Sequence, residues 1–185
     1  VIADIQTKGR GRNQHHWVSG NPDNLYFSFY LKIHSPLEPH FCTLTHFLSL
    51  VASTVLDTSL LGTPWIVQIK WPNDLMIAGY KIGGVLAEAT WMNHSISGLA
   101  LGIGINLYLG EDEKERIDQP ASDLRSFSQA NFQKEVIFQS IIHSFLSKVD
   151  QYLVEGFPSI RQAFEAKLFL NKEGCQYKLL DDGSL

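Results

Sequence analysis

The stretch from Ile66 to Leu109 constrains the fold more than any other. Four apolar segments, IVQIKW, LMI, KIGGVLAEAT and SISGLALGIGINLYL, are separated by turn residues at Pro72-Asn73-Asp74, Ala78-Gly79 and Asn93-His94. Short turns between β-rich segments predict a meander of antiparallel strands. The last segment is glycine-rich. Glycines fill a strand poorly but let another backbone or a ligand approach closely.

The flanks add one strand region before the meander and helices around it. Val1 to Thr7 reads as a buried strand, a Gly/Arg loop and the turn-rich SGNPDN follow, and Leu25 to Ile33 reads as a second strand. A start signal at Ser35-Pro36 precedes Phe41, Leu44, Leu48, Val51, Val55 and Leu56 at helical spacing, with Gly62 as the stop. After the meander, the charged run containing Asp112, Glu113 and Glu115 reads as a solvated linker. A helix is expected from Phe132 to Leu153, with Val136, Ile141, Phe145, Val149 and Tyr152 on one face. A second helix follows Pro158 and runs to about Phe169. The expected fold class is α+β: a mixed, largely antiparallel sheet with helices packed on one face.

With 185 residues the chain holds one ordinary domain. Its formal net charge of −4 provides no global attraction to nucleic acid, so a polyanion would need a local cationic patch. Cys42 and Cys175 lie far apart and outside any CxxC pattern, which favours a reduced, cytoplasmic protein. No apolar run reaches the ~18 residues of a membrane span. The chain starts inside a strand, so residues upstream of Val1 are expected.

Three short stretches carry candidate chemistry. In TKGRGRNQHHW, Gly9 and Gly11 free backbone N–H groups to face an anion, and Arg10 and Arg12 add forked positive charge. A solvated basic loop is the competing reading, and the spacing is not that of a P-loop. In KWPNDLMIAGYKIGGVLAE, Asn73 and Asp74 form a polar turn after an apolar strand, and Lys81 stands beside the bare Gly83-Gly84. An Asx turn and a solvated lysine are the alternatives there. In GIGIN, Gly102 leads to Asn106, again bare backbone followed by an amide. Trp71 is expected in the core and Trp17, in a polar loop, beside a ligand. No metal site is expected: His15 and His16 are adjacent, so they point apart, and no third ligand is evident.

In this order and at these separations, QTKGRGR…W, KWPNDL…K-GG-L-E and GIGIN resemble the catalytic domain of biotin–protein ligases, also called biotin–[acetyl-CoA-carboxylase] ligases. The resemblance covers about Val1 to Leu109, with helices of the expected kind to about Phe169. It implies a fold similar to class II aminoacyl-tRNA synthetases and lipoate ligases. It also implies activation of biotin by ATP, with Mg2+ as counter-ion, to biotinyl-5′-AMP, then transfer to a lysine of the biotin carboxyl carrier domain of acetyl-CoA carboxylase. By the same resemblance, Gln6, Gly9, Arg10, Gly11, Arg12, Lys81, Gly84 and Gly102 contact biotin. Arg10, Trp17, Asn73, Asp74, Lys81 and Asn106 contact ATP, and Lys81 and Arg12 serve catalysis. Family members dimerise or dock their carrier through sheet edges, which makes a homodimer one expected assembly.

The resemblance divides the chain into a catalytic domain over 1–170, lacking its N-terminal segment, and the start of a truncated or minimal SH3-like element over 171–185. Two departures stand out. Gln14 replaces the third glycine of the family's loop and His15 the basic residue after it. The Ser-Thr-Asn stretch and an N-terminal helix-turn-helix are absent, which argues against a repressor role. A lipoate or octanoate ligase or transferase on the same scaffold, and a non-catalytic binder of biotin or its carrier, are the alternative readings.

Overall fold

The computed structural model describes residues 1–12, 15–32, 40–92 and 95–169. Six strands, β1 (Ile2–Ala3), β2 (Leu25–Lys32), β3 (Gln68–Lys70), β4 (Asp74–Ile77), β5 (Tyr80–Met92) and β6 (Ser95–Ile105), form one sheet in the order β1-β2-β6-β5-β4-β3. Among the described residues every strand pairing is antiparallel, and the parallel contacts are the isolated bridges Ile69 to Leu168 and Lys81 to Ala121. The Ala78-Gly79 turn is held by positive φ at both residues, 50° and 86°, the geometry a tight hairpin demands.

Alternation along β2, β5 and β6 splits the sheet into two unlike faces. Phe27, Val85, Leu101 and Ile103 point to one side and are buried in the main core. Ser28, Leu86 and Gly102 form a cross-strand row on the other, as do Gly84 with Gly104 and Glu88 with Ala100. Among the described residues, the core-forming helices pack on the first face. Helix α1 (Leu44–Ser59) buries Leu44, Phe47, Leu48, Val51, Ala52, Val55 and Leu56 against it. The core also takes in side chains from α3 (Lys134–Leu146), α4 (Val149–Glu155) and α5 (Arg161–Lys167).

Several expectations change. Val1 to Thr7 is not a buried strand: Ile2–Ala3 is a two-residue edge strand, Val1 continues its pairing by exchanging backbone hydrogen bonds with Ser28, and Val1, Ile2 and Ile5 are exposed. Phe132 to Leu153 is not one helix but α3 and α4, parted at Ser147-Lys148. The buried track on α3 is Ile137, Ile141 and Phe145, an i, i+4, i+8 line, and Val136 beside it is exposed. A 3₁₀ turn at Phe157–Ser159 precedes α5, which ends at Lys167. The linker is partly ordered as α2 (Glu111–Glu115), and Glu113 is buried rather than solvated. Its carboxylate accepts from the Gly20 and Gly110 backbone N–H groups, which accounts for its burial.

The Ser35-Pro36 signal, the Asn93-His94 turn, Asn13, Gln14, Cys175 and the segment 171–185 lie outside the described residues. Among the described residues no helix is long and apolar enough to cross a membrane.

Candidate active site

The uncovered sheet face carries a cleft of about 860 Å³, within the size range of small-molecule sites. Its floor is bare because β6 places Gly104, Gly102 and Ala100 at successive positions of that face, with Gly84 beside Gly104 on β5.

The opening loop forms one wall. It is a small hairpin closed by its own backbone: Trp17 N donates to Gly9 O, Gly11 N to His15 O, and His15 N to Arg12 O. Gly9 is required there because a Cβ would collide with the Trp17 carbonyl. Ser19 ties the loop down by donating to the carbonyl and the side-chain oxygen of Gln6. From this frame the Trp17 ring reaches over the floor, so that a Cβ on Gly104 would lie 2.5 Å from its Cε2 atom. Its indole Nε1 is buried without a hydrogen-bond partner. Arg10 and Arg12 line the cleft from exposed positions, and Arg10 Nη2 meets Glu88 Oε2 at 2.9 Å.

Lys81 enters from the opposite wall, and a register shift aims it. Leu75 pairs with Gly83 but Met76 pairs with Lys81, so one extra residue is accommodated in β5. A bulge of this kind breaks strict alternation and redirects side chains. Lys81 thereby shares a side with Gly84, whose added Cβ would lie 3.6 Å from the Lys81 Cε. The Lys81 ammonium pairs with Asp74 Oδ1 at 2.7 Å, both side chains being mostly buried, and lies 5.5 Å from the centre of the Trp17 ring.

Asn73 and Asn106 line the cleft while each donates its side-chain amide to a backbone carbonyl, Asn73 to Val85 and Asn106 to Ser122. They therefore shape the walls as well as face the ligand space. Trp71 does the double duty that its sequence context did not suggest. It stacks on His46 at 4.3 Å, packs edge-on to Phe164, and still lines the cleft. His46 is buried with neither ring nitrogen hydrogen-bonded. Burial first, and the nearby Arg12 charge second, push its pKa down from 6.5 to about 4.

All twelve candidate residues thus line one cleft. Sequence reading quoted Glu88 at the end of the second motif without giving it a role, and missed Ser28 and the segment around Arg116 to Ala121; all of these also line the cleft. Glu88 was detectable in principle, four residues beyond Gly84 on the same face. The 116–121 segment carried no signal, because it reaches the cleft by tertiary pairing: Lys81 N donates to Pro120 O, and Ser122 N to Lys81 O. His15 faces Asp118 at 3.7 Å. Among the described residues no group of three or more His, Cys, Asp or Glu side chains could hold a metal ion.

Fold and cleft together define a class: an antiparallel-sheet domain, backed by helices on one side, that holds a Gly/Arg loop over bare glycines on the other. Residues 1–106 match the sequence profile of the Biotin/lipoate A/B protein ligase family, and the chain belongs to that family. It is 29% identical over 168 residues to the bifunctional ligase/repressor BirA of Bacillus spizizenii, covering 90% of this chain and 50% of that protein. It is 31% identical over 175 residues to the chloroplastic biotin–protein ligase 1 of Arabidopsis thaliana, covering 88% of this chain and 44% of that one. The chain therefore spans about half the length of the curated relatives it matches. Among solved structures, biotin protein ligase from Aquifex aeolicus in complex with biotin and ATP superposes with a TM-score of 0.74. The two share 27% identity over 91% of this chain and 67% of that one.

Proposed function

We propose that this chain is the catalytic region of an ATP-dependent biotin–protein ligase, with residues 1–170 as its catalytic domain and 171–185 beginning an SH3-like element. The observation that carries this reading is the convergence, over one glycine floor, of the Arg10/Arg12 loop, the Lys81–Asp74 pair and the Trp17 ring. The names of the relatives and the biotin and ATP held by the Aquifex structure support it.

In the first step an oxygen of the biotin carboxylate attacks the α-phosphorus of ATP. The bond from that phosphorus to the bridging oxygen breaks, and pyrophosphate leaves with the electron pair. A carboxylate and a polyphosphate repel, so the step needs fixed positive charge between them. Lys81 supplies it at the reacting carboxylate and α-phosphate, and Arg12 and Arg10 supply it from the loop. Gln6, Gly9, Gly11, Gly84 and Gly102 receive biotin, and Trp17, Asn73 and Asn106 receive the nucleotide. In the second step a neutral lysine amine attacks the anhydride carbonyl. The carbon–oxygen bond to AMP breaks, an amide forms, and the amine proton passes to solvent.

Magnesium takes one or two carboxylates plus phosphate oxygens. Asp74 offers such a carboxylate in the cleft wall, which suits an ion that screens the phosphates of ATP. The acceptor is a lysine of a biotin carboxyl carrier domain, that of acetyl-CoA carboxylase by family resemblance. A cytoplasmic setting and a homodimer belong to the same reading.

Biotin-dependent exchange of radiolabelled pyrophosphate into ATP tests it. Exchange with biotin and not with lipoate is expected. Exchange with lipoate alone moves the assignment to a lipoate ligase, and biotin binding by calorimetry without exchange makes the chain a non-catalytic binder.

A further inference from the structure

β6 brings four small residues to the open face at alternate positions, Gly104, Gly102, Ala100 and Gly98, and the first three line the cleft. Gly98 does not, because a side chain from the neighbouring strand lies on it. Tyr30 stands on β2 opposite Ala100 and leans one row outward, so that a Cβ on Gly98 would collide with its phenol. Its hydroxyl meets Thr90 Oγ1 at 2.9 Å; Thr90 is the β5 partner of Gly98 and donates to the Gly98 carbonyl at 3.1 Å. A hydroxyl has one proton, so Thr90, donating to the carbonyl, accepts from Tyr30. The tyrosine thus reaches from β2 across β6 to β5, a bar over the floor one row beyond Ala100 and Glu88.

We infer that Tyr30, latched to Thr90, is the end stop of the cleft and a specificity-determining residue: it sets how long an acid the site accepts. The direction of the ligand rests on the ligase reading. On that reading the reacting carboxylate sits at Lys81, beside Gly84 and its β6 partner Gly104, and the nucleotide lies toward Asn106. The rest of the acid then runs the other way along β6, over Gly102 toward Ala100. One further row, roughly 7 Å along the strand, carries Gly98, and the phenol closes it. An aromatic ring on a strand glycine also steadies a sheet. A ring kept for that purpose alone would have no effect on which acid is used. Tyr30 is half exposed, so its removal leaves the main core intact.

Exchange of pyrophosphate into ATP reads the length limit. The probes are biotin and its homologue with two methylenes added to the side chain, which pushes the ring toward Gly98. In Tyr30→Ala the preference for biotin over that homologue, taken as the ratio of kcat/KM values, falls at least ~10-fold below its wild-type value. Should Tyr30→Ala not fold, Tyr30→Thr, a small residue suited to a strand, takes its place. A ratio within one variant cancels any general loss of folded protein or of catalysis. An unchanged ratio overturns the inference.

A second readout needs no turnover. Straight-chain alkanoic acids of increasing length serve as rulers on the full 185-residue chain, with the rise in thermal midpoint as the measure of binding. The wild-type response ends at a limiting length, and Tyr30→Ala moves that limit up by several carbons. The same limit in both chains, or no response to any acid, also overturns the inference. A moved limit together with no biotin-dependent exchange in the wild-type chain counts against the proposed function alone.

Discussion

The two faces of the sheet are made from the same strands and even from adjacent residues, yet they are built to opposite rules. On the helix side, Phe27, Val85, Leu101 and Ile103 meet α1, α3 and their neighbours in a continuous core, with Phe29 and Phe47 each about 5 Å from Phe145. On the open side, Gly84, Ala100, Gly102 and Gly104 carry little or no side chain, Trp17 reaches over Gly104 from a loop, and Tyr30 of β2 lies against Gly98. One face stabilises by burying apolar area; the other gives up that area and leaves a cleft beside fixed charge.

The contrast predicts separable losses. The largest belongs to the helix side. Phe145 is fully buried, and Phe145→Ala is expected to cost about 3–5 kcal/mol in a denaturant titration. Its adenylation rate per folded molecule should stay near wild type. A folded fraction that still holds while activity collapses would show the two faces to be coupled.

Next comes Lys81→Ala on the open side, where removal of one preorganised charge-stabilising donor lowers adenylation at least ~100-fold. Stability should change less than in Phe145→Ala, because the cleft admits water to the Asp74 carboxylate left behind. Normal pyrophosphate exchange in Lys81→Ala would remove Lys81 from the mechanism.

The last effect, absent at neutral pH, comes from His46, where the faces meet behind Trp71. Its folded pKa of about 4 lies below the ordinary 6.5, so between these values the unfolded chain binds more protons than the folded one. Stability is therefore full above about pH 6.5 and declines as the pH falls to about 4, by at most about 1.4 kcal/mol per unit from this group. His46→Phe keeps a ring for the stack and should flatten that part of the profile. An unaltered slope would assign the acid sensitivity elsewhere.

Local chemistry was legible wherever neighbours in sequence are neighbours in space. The meander, the Ala78-Gly79 turn and the α1 stripe follow from periodicity and turn residues, and the three motifs were readable because each is short and glycine-marked. The errors lie where a long-range contact decides. Val136 and Ile137 are both apolar, and only the angle at which α3 meets the sheet buries Ile137 and exposes Val136. Glu113 looks like one acid among several until Gly20 and Gly110 present their N–H groups to it.

By itself the sequence determined the alternation of apolar and bare positions along β5 and β6, the charges of the Gly/Arg loop and the lysine beside the glycines. Those are properties of adjacent residues, set by backbone period and side-chain chemistry. Only the tertiary structure decided that the β5 register shift turns Lys81 toward Gly84, that residues 116–121 wall the cleft, and that Glu88 reaches Arg10. Each depends on strands, loop and linker that are distant in sequence meeting in space or on a one-residue slip, and no local pattern encodes which backbone will arrive alongside.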